Sequence, residues 1–170
     1  MYKTLSVVLT VCLTICGNAW ATDPSGVVAT NLLVSGIANI ENLIIQGGAS
    51  GQRELHQKIG SDKAPVTIAT STQTFAPGGF SGWHSHTGPV WVIVESGTAS
   101  LEHTEGCFVD YPTGSVLFES GPTDVHNLSN RSATENLVIR VWSFRLAGIP
   151  GRIDQLPIVG PCDNPFAQQH

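Results

Sequence analysis

Two histidines one residue apart, His84 and His86, stand in the stretch GGFSGWHSHTGPVWVIVESG, residues 78–97. On a β-strand, side chains two positions apart leave the same face, about 7 Å from one another, so such a pair can grip one metal ion from one side. Alone the pair is weak evidence, because two surface histidines explain it as simply. Its surroundings add weight: Pro77, Gly78, Gly79 and Gly82 make a sterically permissive approach to the strand, and Gly88-Pro89 breaks it just beyond. A third histidine, His126, follows a turn built on Ser120, Gly121 and Pro122. Imidazoles imply a divalent ion, iron, copper, zinc, nickel or manganese, without choosing among them.

The elements that must position these residues read as short strands. From about Pro65 the chain is a series of β-branched or aromatic runs, PVTIATSTQTF, PVWVIVES, TASLEHT, CFVDYP, VLFES, VHNLSN and NLVIRVWSFRL, cut by Gly, Pro, Asn and Ser. That pattern predicts an all-β sandwich or barrel. Charged residues make up 12% of the chain, and no long segment carries a 3.6-residue apolar period, although SGQRELHQKI fits one or two helical turns. Residues 22–64 form an N-terminal extension whose VVATNLLVSGIANIENLIIQGG fits one or two strands added to a sheet edge. Residues 147–170, rich in Gly and Pro, read as an irregular tail.

The first 21 residues, with Lys3, an apolar run from Leu5 to Cys16 and the ending Ala19-Trp20-Ala21, have the form of a secretory signal peptide. The expected location is secreted or periplasmic. A lipoprotein reading of LTIC fares worse, since Ile15 stands where a small residue is wanted. Cleavage leaves seven basic against thirteen acidic residues, with no basic patch for nucleic acid or an anionic membrane, and no further run long enough to span a bilayer. Two cysteines remain, Cys107 and Cys162. In an oxidising compartment one disulfide tying the tail to the barrel is the simplest account, with two free thiols as the alternative.

On these residues the chain resembles a single-domain cupin. The first cupin motif runs Gly, five residues, His-x-His, three or four residues, Glu, six residues, Gly; here Gly78, His84, His86 and Gly97 fall in register. The glutamate falls on Val90, or on Trp91 by the longer spacing, and neither can ligate a metal. Gly114, His126 and Asn130 carry the second motif, with Ser120 where Pro is usual and one extra residue between Gly114 and His126. The resemblance covers about residues 65–146, extends to small secreted bacterial cupins, and implies a cupin-type double-stranded β-helix, a jelly-roll barrel with little helix. It also implies His84, His86 and His126 as ligands of a divalent metal.

No obvious acid replaces the lost glutamate. Glu95 is an odd number of residues from Val90 and should face away. Glu119 and Asp124 flank the His126 turn and are not expected among the ligands. His103, His56 and His170 read as solvent histidines. Three neutral imidazoles would leave the ion at +2, a strong Lewis acid that favours an anionic ligand. Val90, Val92 and Val94 should line the barrel, with Trp91 and Ile93 on the other face. Asn130 either supports His126 or shapes the turn, and Arg140 is either a surface residue or an inward anchor for an anion. The implied function is a metal-dependent, oxygenase-type enzyme acting on a small anionic molecule. A non-catalytic ligand- or metal-binding barrel, or a structural module with a decayed site, are the alternatives. A homodimer through the apolar strand of residues 28–46 is a further expectation.

Overall fold

The computed structural model describes residues 22–38, 43–47, 55–59 and 65–162. Twelve strands are found among them: β1 (Ser25–Ala38), β2 (Leu43–Gly47), β3 (Leu55–Ile59), β4 (Val66–Phe80), β5 (His84–His86), β6 (Val90–Ser96), β7 (Thr98–Glu102), β8 (Phe108–Pro112), β9 (Val116–Glu119), β10 (Asn127–Ser129), β11 (Leu137–Leu146) and β12 (Arg152–Asp154). No helix occurs among the described residues. The seven runs read from the sequence correspond to β4 and to β6 through β11.

Their antiparallel sheet runs β8-β7-β10-β4-β11-β6-β9, with β1 laid along the free edge of β4. The β8–β9 turn folds back over β6, where Val94 exchanges backbone hydrogen bonds with Gly114 and Ser115. The sheet thus curls into the expected all-β jelly roll. Alternation explains the core: on β6, Val90, Val92 and Val94 are buried while Ile93 is exposed. Phe75, Leu117, Leu137 and Ile139 complete the packing from β4, β9 and β11. Burying each such side chain contributes about 1.5–3 kcal/mol, so the interior rests mainly on these rows.

Two segments depart from the sequence reading. Residues 55–59, assigned a helical tendency, form β3 and pair with β2 from Leu43↔Ile59 to Gly47↔Leu55; the hairpin ladder satisfies the backbone and overrides local propensity. The tail is not wholly irregular, because Arg152–Asp154 pair with His84–His86. In β1, uncharged throughout, Val28, Leu32, Val34 and Ile37 are each more than 60% exposed. Residues 1–21 and His170 lie outside the described residues.

Two glycines permit the approach to β5. Gly82 has φ +72°, and a Cβ there would strike the Thr22 carbonyl; one at Gly88 would strike the Phe144 carbonyl. Asn130, 2% exposed, holds the end of β10: its amide donates to the carbonyls of Phe75, Ala76 and Glu135, and its oxygen accepts from Ser132 N–H.

Cys107 and Cys162 form a disulfide across 55 residues of sequence. Closing a loop of that size restricts the unfolded chain by about 4 kcal/mol on the loop-entropy account. Replacing both cysteines by serine should therefore lower unfolding stability by a few kcal/mol in urea titration. An unchanged midpoint would mean that the β12 ladder alone secures the tail.

Candidate metal centre

The site begins with a backbone contact. His84 and His126 face one another in an isolated antiparallel bridge, each N–H donating to the other's carbonyl at 2.9 Å. Directly opposed residues project their side chains to the same side, so the bridge sets the two imidazoles together. His86 joins them by the two-residue period of β5. The ring centroids lie 4.8 Å apart for His84 and His86, 4.5 Å for His84 and His126, and 5.5 Å for His86 and His126. One nitrogen from each ring lies within 4.8 Å of the others.

Each ring is oriented by a carbonyl at Nδ1. His84 Nδ1 meets Gly82 O at 2.8 Å, His126 Nδ1 meets Asp124 O at 2.9 Å, and His86 Nδ1 meets Gly151 O at 3.0 Å. A carbonyl only accepts, so each Nδ1 carries a proton, and Nε2 is the ring atom left for a metal ion to take. His126 is fully buried, and its Nε2 has no hydrogen-bond partner. An unsatisfied nitrogen of that kind, beside two rings held in the same way at Nδ1, fits a divalent ion.

Glu119 brings a carboxylate beside two of the three histidines, outside the set of ligand atoms that all lie within 4.8 Å of one another. Its carboxylate, 3% exposed, lies 2.9 Å from His86 Nε2 and 3.3 Å from His126 Nε2. Strand pairing explains the position: Glu119 on β9 stands directly opposite Val90 on β6, and paired residues share a face. The acid absent at Val90 thus returns on the neighbouring strand. Sequence spacing gave Glu119 little weight because register between strands cannot be counted along one of them. A local signal did exist in VLFE, where Leu117 and Glu119 alternate with Phe118 and so point inward together. With Glu119 as a fourth donor, the charge of a divalent site would be +1 rather than +2.

Electrostatics follow the burial. Desolvation, reinforced by His126 and His86, lowers the His84 pKa to about 3, which keeps this ring neutral. Burial alone would raise Glu119, but His126 and then His86 outweigh it and hold the carboxyl well below its ordinary value. Burial likewise works to lower His126, yet Glu119 and Asp124 raise it.

Asp124 backs the centre from behind. Its Oδ1 accepts from His103 Nε2 at 2.9 Å, and its Oδ2 accepts from Ser120 N–H at 2.6 Å. His103 is therefore tied into the site's support, contrary to its reading as a solvent residue. The tail supports the opposite side: Gly151 orients His86, Thr87 Oγ1 donates to Pro150 O at 2.7 Å, and Gln155 donates to Trp83 O and Ser85 Oγ.

Other expected neighbours lie elsewhere. Trp91 faces out of the barrel onto Phe118 and Phe144, as the alternation from Val90 requires. Arg140 lies between inward-facing Ile139 and Val141 and ion-pairs with Glu95, so it is no anion anchor beside the metal. Asn130 braces backbone turns and makes no bond to His126, whose Nδ1 is already taken by Asp124 O. Val90 is buried in the core.

A small cavity, partly open to solvent, adjoins the centre. His84, His86 and Glu119 line one part of it; Phe75, Val92, Leu128, Ile139 and Val141 give the apolar remainder, with Ser81 and Gln73 as the other polar groups.

Residues 71–143 match the family model described as Cupin domain. No curated protein matches the chain. Solved structures similar to it include a cupin-like protein from Thermotoga maritima, 18% identical, with a TM-score of 0.44 over 61% of this chain and 88% of that one. A cupin domain from Bordetella pertussis is 19% identical, with a TM-score of 0.38 over 65% and 99% of the respective chains. The polyketide cyclase RemF from Streptomyces resistomycificus is 14% identical, with a TM-score of 0.39 over 49% of this chain and 62% of that one.

If Glu119 is a ligand, Glu119→Gln should weaken zinc or cobalt affinity by at least about tenfold in competition titration. Adding Val90→Glu to Glu119→Val should restore part of that loss, since the two positions face each other. Equal affinity in wild type and Glu119→Gln would remove Glu119 from the ligand set.

Proposed function

The chain belongs to the cupin superfamily, and from that premise we propose that it holds one divalent metal ion through His84, His86, His126 and Glu119 and uses it on a small molecule. The observation that carries this reading is the shared ring orientation: each Nδ1 sits on a backbone carbonyl, and each ring brings a nitrogen within 4.8 Å of the other two. Histidines of a decayed site would have no reason to keep that arrangement. Iron, copper, zinc, nickel and manganese all suit the donor set.

When bound, the ion supplies Lewis acidity to a coordinated ligand. The chain's own residues do the rest. The carbonyls of Gly82, Asp124 and Gly151 fix the rings, so no imidazole must reorient to bind. Phe75, Val92, Leu128, Ile139 and Val141 restrict water around the bound molecule and strengthen the field of the site. No lysine or arginine lines the cavity, so an anionic group on the ligand is recognised by the metal itself. Glu119 is the one carboxylate in the lining, and as a metal ligand it would not be free to shuttle protons. This favours chemistry centred on the ion, of the oxygenase type, over isomerisation by a side-chain base.

The disulfide accords with work outside the reducing cytoplasm, and we place the mature protein, cleaved after Ala21, in the periplasm or medium. A non-catalytic barrel that holds the same ion and ligand is the second reading, favoured by the lack of any free acid–base residue in the cavity.

Elemental analysis of the protein purified without chelator should give about one equivalent of metal, and a His84→Ala/His126→Ala variant should give none. A parent that is empty and takes up none of the five metals would overturn the proposal.

A further inference from the structure

The cavity beside the metal centre has one polar side chain with nothing to do. Gln73 on β4 lines it, two residues from Phe75 and directly across the ladder from Ile139, both of which face the same space. Its amide makes no hydrogen bond to any described residue. Ser81, the other uncharged polar group of the lining, is already occupied: its hydroxyl accepts from Leu128 N–H and reaches Asn127 Oδ1. A carboxamide offers two donors and an acceptor oxygen; half-buried Gln73 finds no protein partner for them in the apolar wall and leaves them to solvent or a ligand. Isolated polar groups within an apolar pocket commonly fix a ligand's orientation.

We propose that Gln73 is the second anchor of the ligand site, binding a neutral hydroxyl, carbonyl or amide at the end of a compact molecule whose other end coordinates the metal. The inference rests on the metal-centre reading above. It narrows the ligand class in three ways. The middle of the molecule is apolar, to match Phe75, Val92, Leu128, Ile139 and Val141. Its far end hydrogen-bonds, because a methyl group there would strand the Gln73 amide without a partner. That end is also uncharged, because no cation in the lining compensates a second carboxylate. Aliphatic ω-hydroxy or ω-keto carboxylates fit, whereas simple fatty acids and dicarboxylates do not.

The test uses cobalt-loaded protein, whose visible spectrum reports ligand entry, titrated with butyrate, 4-hydroxybutyrate, succinate and the shorter and longer members of each series. At the best chain length the hydroxy acid should bind about tenfold more tightly than the plain acid or the diacid, the difference that one satisfied hydrogen bond gives. Gln73→Leu should erase that preference while keeping cobalt stoichiometry and affinity for the plain acid, which together show that the variant is folded with an intact centre. Failure of the wild type to hold cobalt would overturn the metal reading and this one with it. A cobalt-loaded wild type that binds none of the series, or shows the same preferences as Gln73→Leu, would overturn the role of Gln73 alone.

Discussion

Two backbone hydrogen bonds, His84 N–H to His126 O and His126 N–H to His84 O, are the contact on which the site depends. They join segments more than forty residues apart and force their side chains to one side. Everything else refines that pairing. β5 is only three residues long and owes its position to neighbours: the His126 bridge on one side and β12 on the other. Gly82 and Gly88 allow backbone to pass where a side chain would collide. The tail, fastened by the Cys107–Cys162 disulfide, supplies the carbonyl that orients His86. A covalent tie far along the chain therefore contributes to the orientation of His86.

Glu119 on β9 places a carboxylate in the space that Val90 on β6 leaves without one. Val90 and Glu119 are direct partners across two strands, so an inward carboxylate on either one enters nearly the same space. Its burial carries a desolvation cost, offset by His126 and His86 at one end and by a metal ion when one is present. Support behind the first layer is equally specific. Asp124 offers its backbone carbonyl to His126, while its carboxylate takes bonds from His103 and Ser120, so one residue holds the ring and is itself held.

Much of this was legible in the sequence. The β-branched runs disclosed β4 and β6 through β11, and the His-x-His spacing with His126 disclosed the three-histidine cluster, because periodicity and turn chemistry are local properties. What stayed hidden depended on partners. Glu119 needed the β6–β9 register, β12 needed β5, and the role of His103 needed Asp124. Arg140 belongs with these: NLVIRVWSF is apolar on both faces, so its direction stayed open until the fold showed its ion pair with Glu95. Gln73 was unremarkable in PVTIATSTQTF, since nothing in that run says that it lies across from Ile139 and lines the same cavity as Phe75.

The most direct test of the whole account is a crystal structure of the zinc-loaded protein with the ion located by anomalous scattering. The account requires one ion at about 2.0–2.2 Å from Nε2 of His84, His86 and His126 and from a Glu119 carboxylate oxygen. An ion bound through Nδ1 atoms, or held by the three histidines with Glu119 turned away, would contradict it.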